Sequence, residues 1–264
     1  MKIAVCIKHV PVETDVEVDP KTHSIQRADA TCDIDPCNMN AMELAASLKK
    51  KDEDTRIDVF TMGPDAAASS LKKCLAVGAD EAYLLSDRRF AGGDTLGTAR
   101  VLASFLQRVD AYDVVITGAE SSDGATGQVG PMLAELLGIA DVADATSAEP
   151  DPTDTGTLLV GQKVPEGTLS LRIKLPVLLT IPFGCNEPAL PTLRAQMKAN
   201  RREIRKLTAD DLDASVLAKL TAKSVVTDVA PNPAGKEAKE LTGTPAEIAE
   251  QIESLIAERR KNNV

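Results

Sequence analysis

A mostly parallel β-sheet with helices on both faces is the fold class this sequence predicts, and two observations predict it. Short apolar runs at residues 3–7, 57–62, 82–85 and 114–117 alternate with stretches of helical spacing. A Gly-rich loop stands between the fourth run and the helix that follows it. Runs of this kind suit strands buried on both faces, as in α/β sheets.

The first run ends in Lys8-His9-Val10-Pro11. Open α/β sheets bind ligands at the carboxyl ends of their strands, which makes Cys6 and Lys8 candidates. The plainer alternatives are a packed core thiol and a lysine marking the strand exit. Residues 12–33 are polar, with weak alternation in Val16-Glu17-Val18, and read as a hairpin-like excursion. Asp35-Pro36-Cys37-Asn38 then leads into a helix expected from Ala41, with Asn40 and Glu43 as a capping box and Met42, Ala45, Ala46 and Leu48 as its buried stripe. Gly63-Pro64 ends the second strand after Met62 and opens a helix carrying Leu71, Cys74 and Leu75. Asp94, followed by Thr95, is a good N-cap for the helix whose face is Leu102, Phe105, Leu106 and Val109. Right-handed crossovers place the loops after Ile7, Met62, Leu85 and Thr117 on one edge of the sheet. The segments around Cys6, 35–38, Met62-Gly63 and 118–131 then line one cleft.

The loop reads Gly118-Ala119-Glu120-Ser121-Ser122-Asp123-Gly124-Ala125-Thr126-Gly127-Gln128-Val129-Gly130-Pro131. A Gly-rich turn between strand and helix lets backbone approach a phosphate, and the helix start offers unpaired N–H groups to it. The stretch matches neither G-x-G-x-x-G nor the Walker A pattern. It contains Glu120 and Asp123 and no Lys or Arg, so backbone and hydroxyl groups would hold any phosphate here. The same spacing reads equally well as a tight turn before a capped helix.

Past residue 140 the rhythm changes. Residues 157–160 and 168–172 flank a turn at Pro165-Glu166-Gly167, an antiparallel hairpin. Residues 177–181 form another buried strand, followed by an irregular stretch to Pro191. Lys198, Arg201, Arg202, Arg205 and Lys206 form a basic run, which on general grounds is a solvated face. Pro231-Asn232-Pro233-Ala234-Gly235 reads as a linker. A final helix has Thr244, Pro245 and Glu247 as its start signals and Ile248, Ile252, Leu255 and Ile256 as an apolar stripe, to be buried on its own domain or on a partner. The expected division is an α/β domain at 1–190 and an extended arm at 191–264.

Composition narrows the chemistry. The 264 residues carry a formal net charge of −10 and no Trp, only two Tyr and four Phe, which argues against nucleic acid and anionic membranes as partners. Five Cys without a C-x-x-C and two His build no zinc or iron–sulfur site and fit a reduced, cytoplasmic protein. No run is long enough for a transmembrane segment, and the first is too short for a signal peptide. Ser121 and Ser122 have no sequence-near His for a catalytic triad. Electron transfer by such a chain requires a bound organic cofactor.

Several motifs, in order, resemble the beta subunit of electron-transfer flavoproteins: residues 5–11, Asp35-Pro36 through Glu43, Thr61-Met62-Gly63-Pro64, Leu75-Ala76-Val77-Gly78-Ala79-Asp80, Asp123-Gly124 through Pro131, Asn186-Glu187-Pro188 and Met197-Lys198-Ala199. The resemblance implies a Rossmann-like, adenine-nucleotide-binding fold. It also implies a heterodimer with an alpha subunit that carries the electron-transferring FAD. In that family the beta-subunit cleft holds AMP in simple carriers and a second FAD in the electron-bifurcating branch. Residues 86–96 resemble that branch, so FAD is expected here and AMP is the alternative. The cofactor-binding positions implied are Cys6, Lys8, Asp35, Asn38, Met62, Gly63, Asp94, Thr95, Thr117, Gly118 and Asp123 to Gly130. A dehydrogenase-docking loop maps onto 191–198, with Leu193 in the anchoring place and Arg194, Met197 and Lys198 beside it. Electrons would pass between NADH or an acyl-CoA-type dehydrogenase and ferredoxin, a dehydrogenase or a quinone reductase. Two departures stand out. Ala119 and Glu120 replace an expected basic residue and Gln, and Asp35 replaces an Asn. Lys8, Arg88-Arg89 or the partner subunit would have to supply the missing cation. A free-standing, non-redox adenine-nucleotide sensor is the competing reading; an ATP-pyrophosphatase-like enzyme lacks its S-G-G-x-D-S loop.

Overall fold

The apolar run at the N-terminus forms the middle strand of the main sheet. In the computed structural model, which describes residues 1–12, 31–224, 226–227 and 240–262, β1 (Lys2–Ile7) leads through a small antiparallel pair, β2 (His9–Pro11) and β3 (Cys32–Ile34), to α1 (Pro36–Lys51). Then follow β4 (Arg56–Met62), α2 (Ala68–Ala76), β5 (Glu81–Leu85), α3 (Thr95–Val109), β6 (Val114–Gly118) and α4 (Val129–Leu137). The second half adds β7 (Ala140–Val142), β8 (Ala145–Pro150), β9 (Thr157–Val164), β10 (Gly167–Lys174), β11 (Val177–Ile181), α5 (Leu193–Asn200), β12 (Arg205–Leu207), α6 (Ala214–Leu217) and α7 (Pro245–Asn262).

Seven strands form one parallel sheet in the order β12-β5-β4-β1-β6-β11-β7. Successive β1 residues point to opposite faces, so both faces are apolar. Ile3, Val5 and Ile7 pack in one layer with Met42, Ala45 and Leu48 of α1 and Leu71 and Cys74 of α2. Ala4 and Cys6 pack in the other with Phe105 and Leu106 of α3 and Leu133 of α4. The predicted parallel sheet covered on both faces is therefore what forms. The predicted hairpin forms as β9 and β10, with β8 as a third antiparallel strand. At the amino-terminal edge of β4, Asp58 is fully buried and accepts from Arg56 Nε and Nη2 at 2.8 and 2.9 Å and from Tyr112 Oη at 2.7 Å. A buried carboxylate needs such partners.

Four elements differ from expectation. Helix α1 starts at Pro36 and not at Ala41, because Asp35 is the better cap: its Oδ1 accepts from Cys37 N at 2.9 Å and Pro36 fills the first turn. Strands β7 and β8 were not anticipated. The basic run contains β12, an edge strand pairing with β5, where Arg205 Nε lies 3.4 Å from Glu81 and its guanidinium 5.7 Å above the Tyr83 ring. The core of the hairpin-like excursion, 13–30, and the linker at 231–235 lie outside the described residues.

Contacts divide the chain into two units, Met1–Val226 and Thr227–Val264. In the second, α7 begins with the expected capping box: Thr244 N donates to Glu247 Oε2 at 2.7 Å and Glu247 N to Thr244 Oγ1 at 3.4 Å. Its Ile252, Leu255 and Ile256 are exposed. No helix among the described residues is long and apolar enough to cross a membrane.

Candidate functional site

The chain runs outward from β1 to β4 and β5, then returns across it to β6. The order therefore reverses between β1 and β6, and it is beside the carboxyl ends of strands at such a reversal that α/β sheets have the crevice in which they take ligands. Several of the sequence-predicted residues meet there. Lys8 N donates to Asn38 Oδ1 at 2.7 Å, and Asp35 N donates to Lys8 O at 3.0 Å, tying the exit of β1 to the start of α1. The loop after β6 is then braced twice. Lys8 Nζ lies 2.5 Å from Asp123 Oδ1 and 3.1 Å from Ser121 Oγ. Asp35 is fully buried, and its Oδ2 accepts from Ser122 N at 2.7 Å and Ser122 Oγ at 2.9 Å.

Two glycines set how closely the loop sits. A Cβ on Gly118 would lie 2.8 Å from Asn38 Nδ2 and 2.9 Å from Cys37 Cβ. A Cβ on Gly130 would lie 2.5 Å from Thr180 Cγ2 and 3.0 Å from Thr117 Oγ1, so only glycine lets the first turn of α4 rest on the ends of β6 and β11. Between them, Gly127 has φ +62° and Ala125 φ +44°. Gly124, Ala125, Thr126, Gly127 and Gln128 are exposed around the crevice mouth. Thr126 Oγ1 accepts from Gln128 N at 3.5 Å, and Thr95 Oγ1 donates to Gln128 Oε1 at 2.9 Å, joining the start of α3 to the loop.

The helix starts differ in a way that matters chemically. Side chains cap α1, α3 and α5 through Asp35, Asp94 and Thr192. Helices α2 and α4 both begin with no side-chain cap and no acidic residue in the first turn, and of these two α4 follows the loop after β6. Pro131 has no N–H and Met132 N donates to Gln128 O, so the N–H groups of Val129 and Gly130 are what this first turn offers to an anion.

Other predicted residues have different surroundings. Cys6 is buried in the core, and burial pushes its thiol up to about 12. Cys37 is raised by burial first and by Asp35 second. Met62 and Gly63 close β4, with Gly63 N donating to Leu85 O at 3.1 Å. Asp94 holds its own helix through Gly97 N at 2.8 Å, and its other oxygen takes Lys223 N at 2.7 Å and Ser224 N at 3.2 Å. Those bonds draw its carboxyl down to about 2. Of the candidate cations, Lys8 is engaged with Asp123 and Arg89 with Asp87 and Asp210 at 2.7 and 2.8 Å, while Arg88 beside it is exposed. Arg89 accordingly holds Asp87 well below the usual carboxylate range. Leu193, Arg194, Met197 and Lys198 lie on α5, and all four are exposed, Leu193 to 74%. Sequence reasoning missed Ser121 and Ser122 as braces of the loop. Their signal was the acid at position 35, unusual in place of an amide.

A family model described as electron transfer flavoprotein domain matches residues 22–212. An electron transfer flavoprotein subunit beta of Megasphaera elsdenii is 40% identical over 215 residues, covering 79% of this chain and 78% of its own. The protein of the same name from Thermoanaerobacterium thermosaccharolyticum is 39% identical over 214 residues, covering 81% and 80%. The caffeyl-CoA reductase-Etf complex subunit CarD of Acetobacterium woodii is 36% identical over 215 residues, covering 81% of each. By matched span and identity over a sheet that opens at the β1/β6 crevice, this chain belongs to the electron transfer flavoprotein family, with its beta subunits.

Proposed function

We propose that this chain is the beta subunit of a heterodimeric electron carrier, pairs with an alpha subunit, and holds FAD by its phosphates at the β1/β6 crevice. The observation that carries the reading is the uncapped start of α4 at a strand-order reversal, beside a loop braced by Lys8 and Asp35. The donor set fits a phosphate: the Val129 and Gly130 N–H groups of α4, the Thr126 hydroxyl and the exposed backbone at Gly124 and Gly127. A bound flavin supplies the redox chemistry; this chain's residues bind and orient it. FAD is favoured over AMP by residues 86–96, which resemble the branch with a second FAD. AMP is the second reading. Lys8 and Arg89 are both engaged with carboxylates, and a site with few cations to spare suits one phosphate as well as two. On this reading Leu193 and Met197, exposed on α5 beside Arg194 and Lys198, receive a dehydrogenase, with NADH or an acyl-CoA-type dehydrogenase donating and ferredoxin, a dehydrogenase or a quinone reductase accepting.

Co-expression with the alpha subunit, followed by chromatography of the released nucleotides, tests this. Two FAD per heterodimer is the expected result. One FAD and one AMP would replace the bifurcating form by the simple carrier. A monomer carrying ATP and no flavin would overturn the reading in favour of a nucleotide sensor.

A further inference from the structure

The segment between β11 and α5 is irregular, and it carries its largest apolar side chains outward: Phe183 is 73% exposed and Leu190 89%. Apart from Cys185, which packs on the core, burial does little to hold it. Polar groups of α1 hold it instead. Asn40 is buried to 2% exposure, and its Nδ2 donates to both Asn186 O and Asn186 Oδ1 at 2.7 Å. Its Oδ1 accepts from Gly184 N at 3.0 Å, and its backbone oxygen accepts from Asn186 Nδ2 at 3.0 Å. Both amide hydrogens and the amide oxygen of Asn40 are thereby used. One turn further along the same face, Glu43 Oε2 accepts from Ala189 N at 2.9 Å. The far side of α5 is fixed separately, by Lys72 Nζ donating to Asn200 O at 3.2 Å.

We propose that Asn40 is a positioning residue for partner docking. Interlocked with Asn186, it sets the path of 184–190 and hence the point from which α5 presents Leu193. The inference rests on the reading of Leu193 as a docking anchor. An exposed loop with few packing contacts samples many conformations unless hydrogen bonds fix it, and a partner that docks on it must otherwise order it at the moment of binding. Buried amides with every group satisfied specify one geometry, and truncating one leaves its partners unpaired. Among the described residues the side chains of Asn40 and Asn186 make no hydrogen bond to the loop at 118–128, so the effect belongs to docking and not to the nucleotide.

The test uses the intact heterodimer with its own nucleotides and an acyl-CoA dehydrogenase as partner. Wild type, Asn40→Ala, Asn186→Ala, the double variant and Leu193→Ala are compared in electron transfer to the dehydrogenase, in reduction of a small tetrazolium dye, and in hydrogen exchange of residues 184–190. Asn40→Ala and Asn186→Ala should each raise KM for the dehydrogenase about tenfold. The kcat at saturation, the dye rate and the nucleotide content should hold, while exchange at 184–190 quickens. The double variant should be no worse than the more affected single one, because both remove one clasp. Asn186 is half-buried on the surface loop, so its variant keeps the test alive if Asn40→Ala fails to fold. Unchanged KM in Asn186→Ala together with unchanged exchange overturns the proposal. Leu193→Ala separates the two claims. If it raises KM while the Asn variants do not, docking at Leu193 stands and the positioning role falls; if no variant moves KM, both fall.

Discussion

Asp35 shows how one side chain serves both sides of the crevice. Its Oδ1 caps α1 at Cys37 N, and its Oδ2 takes the backbone and hydroxyl of Ser122. An amide at this position offers a single acceptor oxygen and cannot do both in the same way. The acid that stood out in the sequence is thus explained by the serine it holds. Gly130 and Gly127 illustrate two different needs for glycine. At Gly130 the limit is space, with an added Cβ 2.5 Å from Thr180 Cγ2; at Gly127 it is the backbone, since a Cβ there would meet only Ala119 O at 3.7 Å while φ is +62°. Gly130→Ala should therefore cost about 1–3 kcal/mol through overpacking, and Gly127→Ala about 1 kcal/mol through the left-handed conformation. Urea midpoints and nucleotide retained per chain measure this, and Gly130→Ala should lose more of both. Equal losses in the two variants would contradict the close seating of α4.

The elements that were legible in the sequence are those whose environment writes a pattern. Strands β1, β4, β5, β6 and β11 are covered on both faces, so their runs of Val, Ile and Leu stood out. Strands β7 and β12 lie at the sheet edges with exposed side chains, and three residues each leave no period to read. The loop after β6 was legible as strand, glycine turn and helix; its braces were not, because Lys8 and Asp35 are far from Asp123 and Ser122 in sequence and only the sheet order joins them. Asp94 was legible as a helix cap, yet its second oxygen fastens 223–224, a contact 129 and 130 residues away. That carboxyl is depressed to about 2 in the folded chain against ~3.9 unfolded. A depressed carboxyl contributes stability in full above its unfolded value and loses it as pH falls through the folded one. The difference in melting temperature between wild type and Asp94→Ala should be constant from pH 7 to about 5 and shrink from about 4 toward about 2. A difference that grows on acidification would contradict the assignment of Asp94 as a charged clasp.

At the scale of the whole molecule, the two halves of the parallel sheet diverge at β1 and β6, and the braced loop and the 184–190 segment follow the carboxyl ends of β6 and β11. Helix α1 serves both neighbouring segments from its first two turns: Asp35 and Asn38 reach the loop and the exit of β1, and Asn40 and Glu43 reach 184–189. Amide hydrogen exchange of the heterodimer, stripped of nucleotide and then reloaded with FAD or AMP, tests the central claim most directly. Reloading should slow exchange at 124–132, the exposed loop and first turn of α4, and leave the edge strand at 205–207 unchanged. Protection that bypasses 124–132 and falls elsewhere on the chain would contradict the placement of the phosphates at α4.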